Sequence, residues 1–293
     1  MNLIERFLEY TFLQNALLGG LIVAVLGGVL GVFLVLRGMS LLGDGLAHLS
    51  FAGIALGLVA GVLPLEMAFV VSVGGAVVIY VLREKQVVKG DTAIGIIFTT
   101  GLALGILLIS YSRSLVNVQS YLFGTLVAVT RHDLATTAML GGGLLLLLAV
   151  FYREFVYMTF SEEAARVSGL PVRFLNLLFM TMTAATIVMA ARLSGVLLVS
   201  ALIIVPAASA LQLRRGFRAT LALSVAFGVT SVLVGLGLSV QYDLAPGATI
   251  ALTNIAFFLA TSVARSLFMR PPPVVHEGHV HVGGHVHPPH RAE

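Results

Sequence analysis

Nine stretches of this chain stay apolar for roughly the width of a lipid bilayer, which about 20 helical residues cross. They run roughly over 13–36, 41–62, 65–82, 91–110, 134–151, 172–191, 193–212, 219–240 and 246–267, the third and fifth being short. A backbone in lipid must satisfy its own polar groups, which leaves only helices and closed barrels. Long uninterrupted runs, rather than short alternating ones, exclude the barrel. Only 10% of the residues are charged, where a soluble domain carries about a quarter, so the chain cannot cover itself with a polar surface. The prediction is an all-α polytopic membrane protein with eight to nine transmembrane helices. Its 31 glycines suit close helix–helix approach in lipid.

The basic residues read as topology signals, since Lys and Arg collect in cytoplasmic loops. "REKQVVK" (83–89), "RRGFR" (214–218) and the loop with Arg153, Arg166 and Arg173 all fall on one side under the nine-span count. "GVLPLEM" and "SVQYDLAPG" on the other side carry no basic residue, while Arg113, Arg131 and Arg192 are exceptions. This predicts an outer N-terminus and a cytoplasmic C-terminus, and it argues against nucleic acid as a partner. Residues 1–12 form an amphipathic segment expected to lie along the lipid surface. No removable signal peptide is expected from "MNLIERFLEY". "VNVQSYLFGTLVAV" (116–129) reads as interfacial or partly re-entrant. The transmembrane domain then covers 13–268, and 269–293 is a polar tail.

Within the second span, "LLGDGLAHLS" places Asp44 and His48 four residues apart. An ionisable pair inside a membrane helix is costly and marks a functional candidate. Positions i and i+4 share a helix face about 5–6 Å apart, so both side chains address one point. A carboxylate and an imidazole together suit a first-row divalent cation. With no cysteine in the chain, thiolate ligands are excluded. Two ligands are an incomplete site, which a second copy across a two-fold axis would complete with the same pair. The competing reading is an intrahelical hydrogen bond in ordinary packing. Gly43, Gly45, Gly53 and Gly57 surround the pair, and packing alone accounts for Gly53 and Gly57.

Three further features stand out. In "FSEEAARVSGLPVRF" (160–174), Ser161 caps a short cytoplasmic helix that opens with Glu162 and Glu163 and stops at Gly169-Leu170-Pro171. Such a helix can dock in another protein's groove, or it is a plain polar loop. The tail holds His276, His279, His281, His285, His287 and His290. Histidines interspersed with Val, Gly and Pro suggest an accessory metal-binding tract rather than a purification tag. In "RLSGVLLVSALIIVPAASAL" (192–211), Pro206 interrupts a span, as a packing kink or a gate. No G-x-x-x-x-G-K-[ST] loop occurs, so the chain does not bind ATP by that route. No hydrolase motif occurs either, and the chain is not expected to be an enzyme.

"GVFLVLRGMSLLGDGLAHLSFAGIALG" resembles the signature region of permease subunits of metal-type ABC importers, the zinc, manganese and iron uptake systems. "EEAARVSGLPV", followed by "SGVLLVSALIIVPAASAL", is similar to the second half of the same family, so the resemblance covers about 10–268. It looks most like the zinc-type permeases. The resemblance implies a type II ABC importer permease fold and a homodimer in the bacterial inner membrane. It also implies a cytoplasmic ABC ATPase dimer and an extracytoplasmic metal-binding protein as partners. Nothing is permanently bound. The cargo is a divalent metal, zinc by this likeness, with manganese and iron compatible. Asp44 and His48 match the family's metal-handling Asp and His. The ATPase-contacting helix corresponds to Glu162–Gly169, with Glu162, Glu163, Ala164, Ala165 and Gly169 as the coupling set. Relatives often have Ala after the Asp and Ser before the His, where this chain has Gly45 and Ala47. The His-rich tail is not a general family feature. The main alternative is an ATP-independent secondary transporter or channel for divalent metals. A siderophore or corrinoid permease, or a receptor with a purely structural polar pair, stands further off.

Overall fold

The computed structural model describes residues 9–88, 91–112 and 131–268. Segment 116–129, residues 1–8 of the N-terminal segment and all six tail histidines lie outside them. Among the described residues the regular elements are helical: α1 Thr11–Leu36, α2 Leu42–Ala60, α3 Pro64–Glu84, α4 Thr92–Ser112, α5 Arg131–Val150, α6 Tyr152–Phe160, α7 Glu162–Val167, α8 Val172–Ser194, α9 Val199–Gln212, α10 Phe217–Tyr242 and α11 Pro246–Phe268. α1–α4, α8, α10 and α11 are each long and apolar enough to cross a membrane.

Among the described residues the count is therefore seven, or eight with one bent pair, against the eight to nine expected. The predicted fifth span does not stop at 151. The chain bends there by 65° and runs on through α6. The predicted seventh span, 193–212, is not one helix. α8 continues to Ser194, Gly195 takes φ +79°, and a short 3-10 turn over Val196–Leu198 leads into α9. Positive φ ends a helix, and only glycine enters that region at little cost. α9 has 14 residues, about 21 Å at 1.5 Å each, which falls short of a hydrocarbon core of about 30 Å. Pro206 sits inside α9 without ending it.

α2 lies at the centre of one half, packed against α3 and α4, while α1 packs against α9 and α10 in the other. α8 touches α1, α2 and α3 and joins the halves. Gly61, at φ +68°, closes α2, and Pro64 opens α3. Close approach explains part of the glycine wealth. A Cβ on Gly53 would lie 2.6 Å from Ala68 Cα, so α2 and α3 touch backbone to backbone. At one end of the bundle Phe33, Phe155, Phe179 and Phe217 form an edge-on aromatic knot, with ring centroids 5.5–6.3 Å apart. It pins α1, α6, α8 and the start of α10 together. Most of the predicted basic loops meet at that end: α7 lies beside Arg37, and Arg173 reaches Glu84 at 2.9 Å.

Candidate functional site

α2 is a mostly buried helix whose face at Asp44 and His48 stays half-open, the two being less than fully buried while Gly43, Gly45, Leu46, Ala47 and Leu49 are buried. Asp44 lies in the first turn of α2, and the pair interacts electrostatically one turn apart. The i, i+4 spacing read from the sequence thus becomes a shared face. The imidazole is held edge-on by Phe98 of α4, with ring centroids 4.3 Å apart and planes at 68°. Behind it, Gly101 of α4 brings its backbone against α2 at His48 and Leu49. Gly45 lets Ile94 of α4 close in, and Gly43 faces Ser200.

The His48 Nδ1 atom is buried with no hydrogen-bond partner. Histidines of resident metal sites usually donate their second ring N–H to a carboxylate or carbonyl, which orients them and raises their basicity. Nδ1 has no such support here. Among the described residues no cluster of three or more His, Asp or Glu side chains gathers to hold a metal. Asp44 and His48 are thus two candidate ligands on a single helix.

The second predicted feature is a real helix. Ser161 Oγ accepts from the Ala164 N–H at 3.1 Å, capping α7. The helix ends at Gly169 (φ +81°), where the Gly169 N–H bonds Arg166 O and the Leu170 N–H bonds Ala165 O. That is a Schellman stop, and Pro171 follows it. Glu162, Glu163 and Gly169 are exposed and Ala164 is partly so. Ala165 is fully buried and anchors the helix to the bundle.

Glu162 does more than begin the helix. Its Oε1 takes the Asn176 Nδ2 donor at 3.3 Å and Arg166 at 3.3 Å, and its Oε2 lies 3.9 Å from Arg37. Arg37 in turn donates to Asn176 Oδ1 and lies over the Phe179 ring, 5.0 Å from its centroid. Burial pushes the Arg37 guanidinium down from its ordinary value, and Glu162 pulls it back up.

Sequence reasoning missed Phe98, Gly101, Arg37 and Asn176. An aromatic or a glycine in an apolar span carries no functional signal of its own. Arg37 stands just past an apolar stretch, where basic residues are common. Asn176, a buried amide in a predicted span, was the one available hint.

The profile of the ABC 3 transport family matches residues 9–265. The manganese transport system membrane protein MntC of Listeria innocua is 36% identical over 261 residues, covering 89% of this chain and 93% of that protein. A probable iron transport system membrane protein of Haemophilus influenzae is 34% identical over 253 residues, covering 86% and 93%. The structure of PsaBC from Streptococcus pneumoniae in complex with Fab superposes with a TM-score of 0.80 at 34% identity, over 92% of this chain and 95% of that one.

Proposed function

The chain belongs to the ABC 3 transport family, the permeases of metal-importing ABC systems, and from that premise we propose that it forms the path by which a divalent metal crosses the membrane, with Asp44 and His48 holding the ion in transit. The observation that carries this reading is the half-open face of α2, where the pair sits one turn apart in an otherwise buried helix. A carboxylate oxygen with an imidazole nitrogen accommodates manganese, iron and zinc alike. The sequence likeness favoured zinc. The relatives' names speak of manganese and iron, and manganese is the cargo we infer. An unsupported His48 Nδ1 suits a weak ligand, which a transit site needs if the ion is to leave.

A second copy of the chain, related by a two-fold axis, would bring another Asp44 and His48 and give four ligands on the path. α7 and Gly169 would meet the ATPase dimer, with Glu162, Glu163 and Ala164 on the docking side and Ala165 as the inward anchor. A metal-binding protein would deliver the ion on the opposite face. The membrane is the bacterial cell membrane, with the α7 end cytoplasmic. The tail histidines, His276 to His290, would bind metal as an accessory after transport.

Reconstitution with its ATPase partner in proteoliposomes tests this reading. Manganese uptake should depend on ATP, and Asp44→Ala or His48→Ala should bring it to background while the subunits still co-purify. Full uptake by the double variant removes the site assignment. Uptake by the chain alone, without the ATPase, gives the secondary-transporter reading instead.

A further inference from the structure

Beside α7 the bundle is fastened by polar contacts on two sides. On one, Arg173 at the start of α8 donates to Glu84 at the end of α3. That pair is largely exposed, and exposed pairs contribute little. On the other, Glu162, Arg37 and Asn176 close a polar triangle in which each member touches the other two. This second fastening is buried at Arg37 and Asn176, while its Glu162 corner is 44% exposed. The Arg37 side chain is 10% exposed, Asn176 is 8% exposed, and Phe179 beneath the guanidinium is fully buried. A charge so short of water depends on its partners, because burying it unpaired is costly.

Arg37 also occupies a particular place in the chain. It is the C-cap of α1, and the turn after it is held by three backbone hydrogen bonds. Gly38, at φ +64°, donates to Val35 O at 3.1 Å, Met39 to Leu34 O at 2.8 Å and Leu42 to Met39 O at 3.0 Å. Met39 and Leu42 are buried. α2 starts at once, and Asp44 is in its first turn. A push on Arg37 therefore meets a stiff, short connection to the helix that carries Asp44 and His48. Glu162 is meanwhile shared. Arg166 holds its Oε1 from within α7, whereas the Arg37 contact to Oε2 is the longer one at 3.9 Å. A shift of α7 by about 1 Å, the difference from a close charge-assisted contact, would make or break that contact.

We propose that Arg37 is a positioning residue that couples α7 to the Asp44–His48 helix, through Glu162 and Asn176 on one side and the 38–41 turn on the other. The inference rests on the reading of this chain as an ATP-driven permease. Movement of α7 changes the grip on Arg37, and Arg37 carries that change into the first turn of α2.

The test uses the assembled permease–ATPase complex in proteoliposomes and reads manganese ions imported per ATP hydrolysed. Arg37→Gln should lower this ratio about fivefold or more, the lower end of common coupling effects. Because the members act as one unit, Arg37→Gln with Glu162→Gln should be no worse than the poorer single variant, whereas independent roles would multiply the losses. A merely structural clamp would lower the amount of assembled complex and leave the ratio alone. Should Arg37→Gln fail to assemble, Arg37→Lys carries the test, since it keeps the charge and loses the planar fork. A wild-type ratio in the variant that assembles, or multiplying losses in the double variant, overturns the inference alone. Wild-type complex without ATP-dependent uptake overturns the permease reading and the inference with it.

Discussion

Replacing Gly101 by alanine sets two opposed effects against each other, and the structure decides between them. Alanine is the better helix former by about 1 kcal/mol, so propensity alone makes the change stabilising. The new Cβ, however, would lie 2.7 Å from the Leu49 nitrogen and 2.8 Å from the His48 carbonyl carbon. These are backbone atoms of a buried helix and cannot swing aside as a side chain does. Ordinary contact begins near 3.4 Å, so α4 and α2 must part by about 0.7 Å at the level of His48. Overpacking of this kind costs about 1–3 kcal/mol, which outweighs the propensity gain. Gly142 of α5 serves as the control, because a Cβ there meets nothing within 4 Å. Thermal unfolding of the two purified variants in the same detergent should therefore diverge: Gly101→Ala melts below wild type, and Gly142→Ala at or slightly above it. The parting also shifts His48 against Phe98, so manganese uptake by Gly101→Ala should fall even at temperatures where the protein remains folded. Equal melting points for the two variants would refute the close-contact argument.

The cytoplasmic helix offers two local tests. Ser161→Ala removes the N-terminal side-chain cap of α7 and should destabilise that helix by about 1 kcal/mol, seen as faster amide exchange at Ala164. Gly169→Ala forces a Cβ into φ +81° at about 1–2 kcal/mol, and should speed exchange at Gly169 and Leu170 without moving the melting point of the whole bundle. Deleting 276–293 removes the six tail histidines and should leave uptake working while changing which metals are preferred or how uptake is regulated; collapse of transport would contradict an accessory tail.

The divide between what the sequence showed and what it hid follows the range of the interactions involved. The limits of α7 were readable because capping is local: a serine oxygen reaches an N–H three residues on, and a glycine relieves a strained φ at the stop. The Asp44–His48 face was readable because one helix turn sets it. The seventh apolar stretch was misjudged for a related reason. Hydropathy registers how apolar 193–212 is and says nothing of where its backbone breaks. Pro206 drew the eye, since an interior proline removes a hydrogen bond and crowds the carbonyl four residues back, yet α9 continues through it; the break is at Gly195, where φ turns to +79°. Likewise the 65° bend after Val150 has no marker in a run of leucines. The contacts that orient the candidate site are longer in range still. Phe98 on His48, Gly101 against α2 and Arg37 beside Glu162 each join segments from different helices. A single sequence states what each helix offers on its faces, but which face meets which is settled by packing. For the proposed transit site the same logic extends past the chain itself: α2 can offer only one carboxylate and one imidazole per turn-spaced face, so the remaining coordination must come from groups that no periodicity within this sequence can specify.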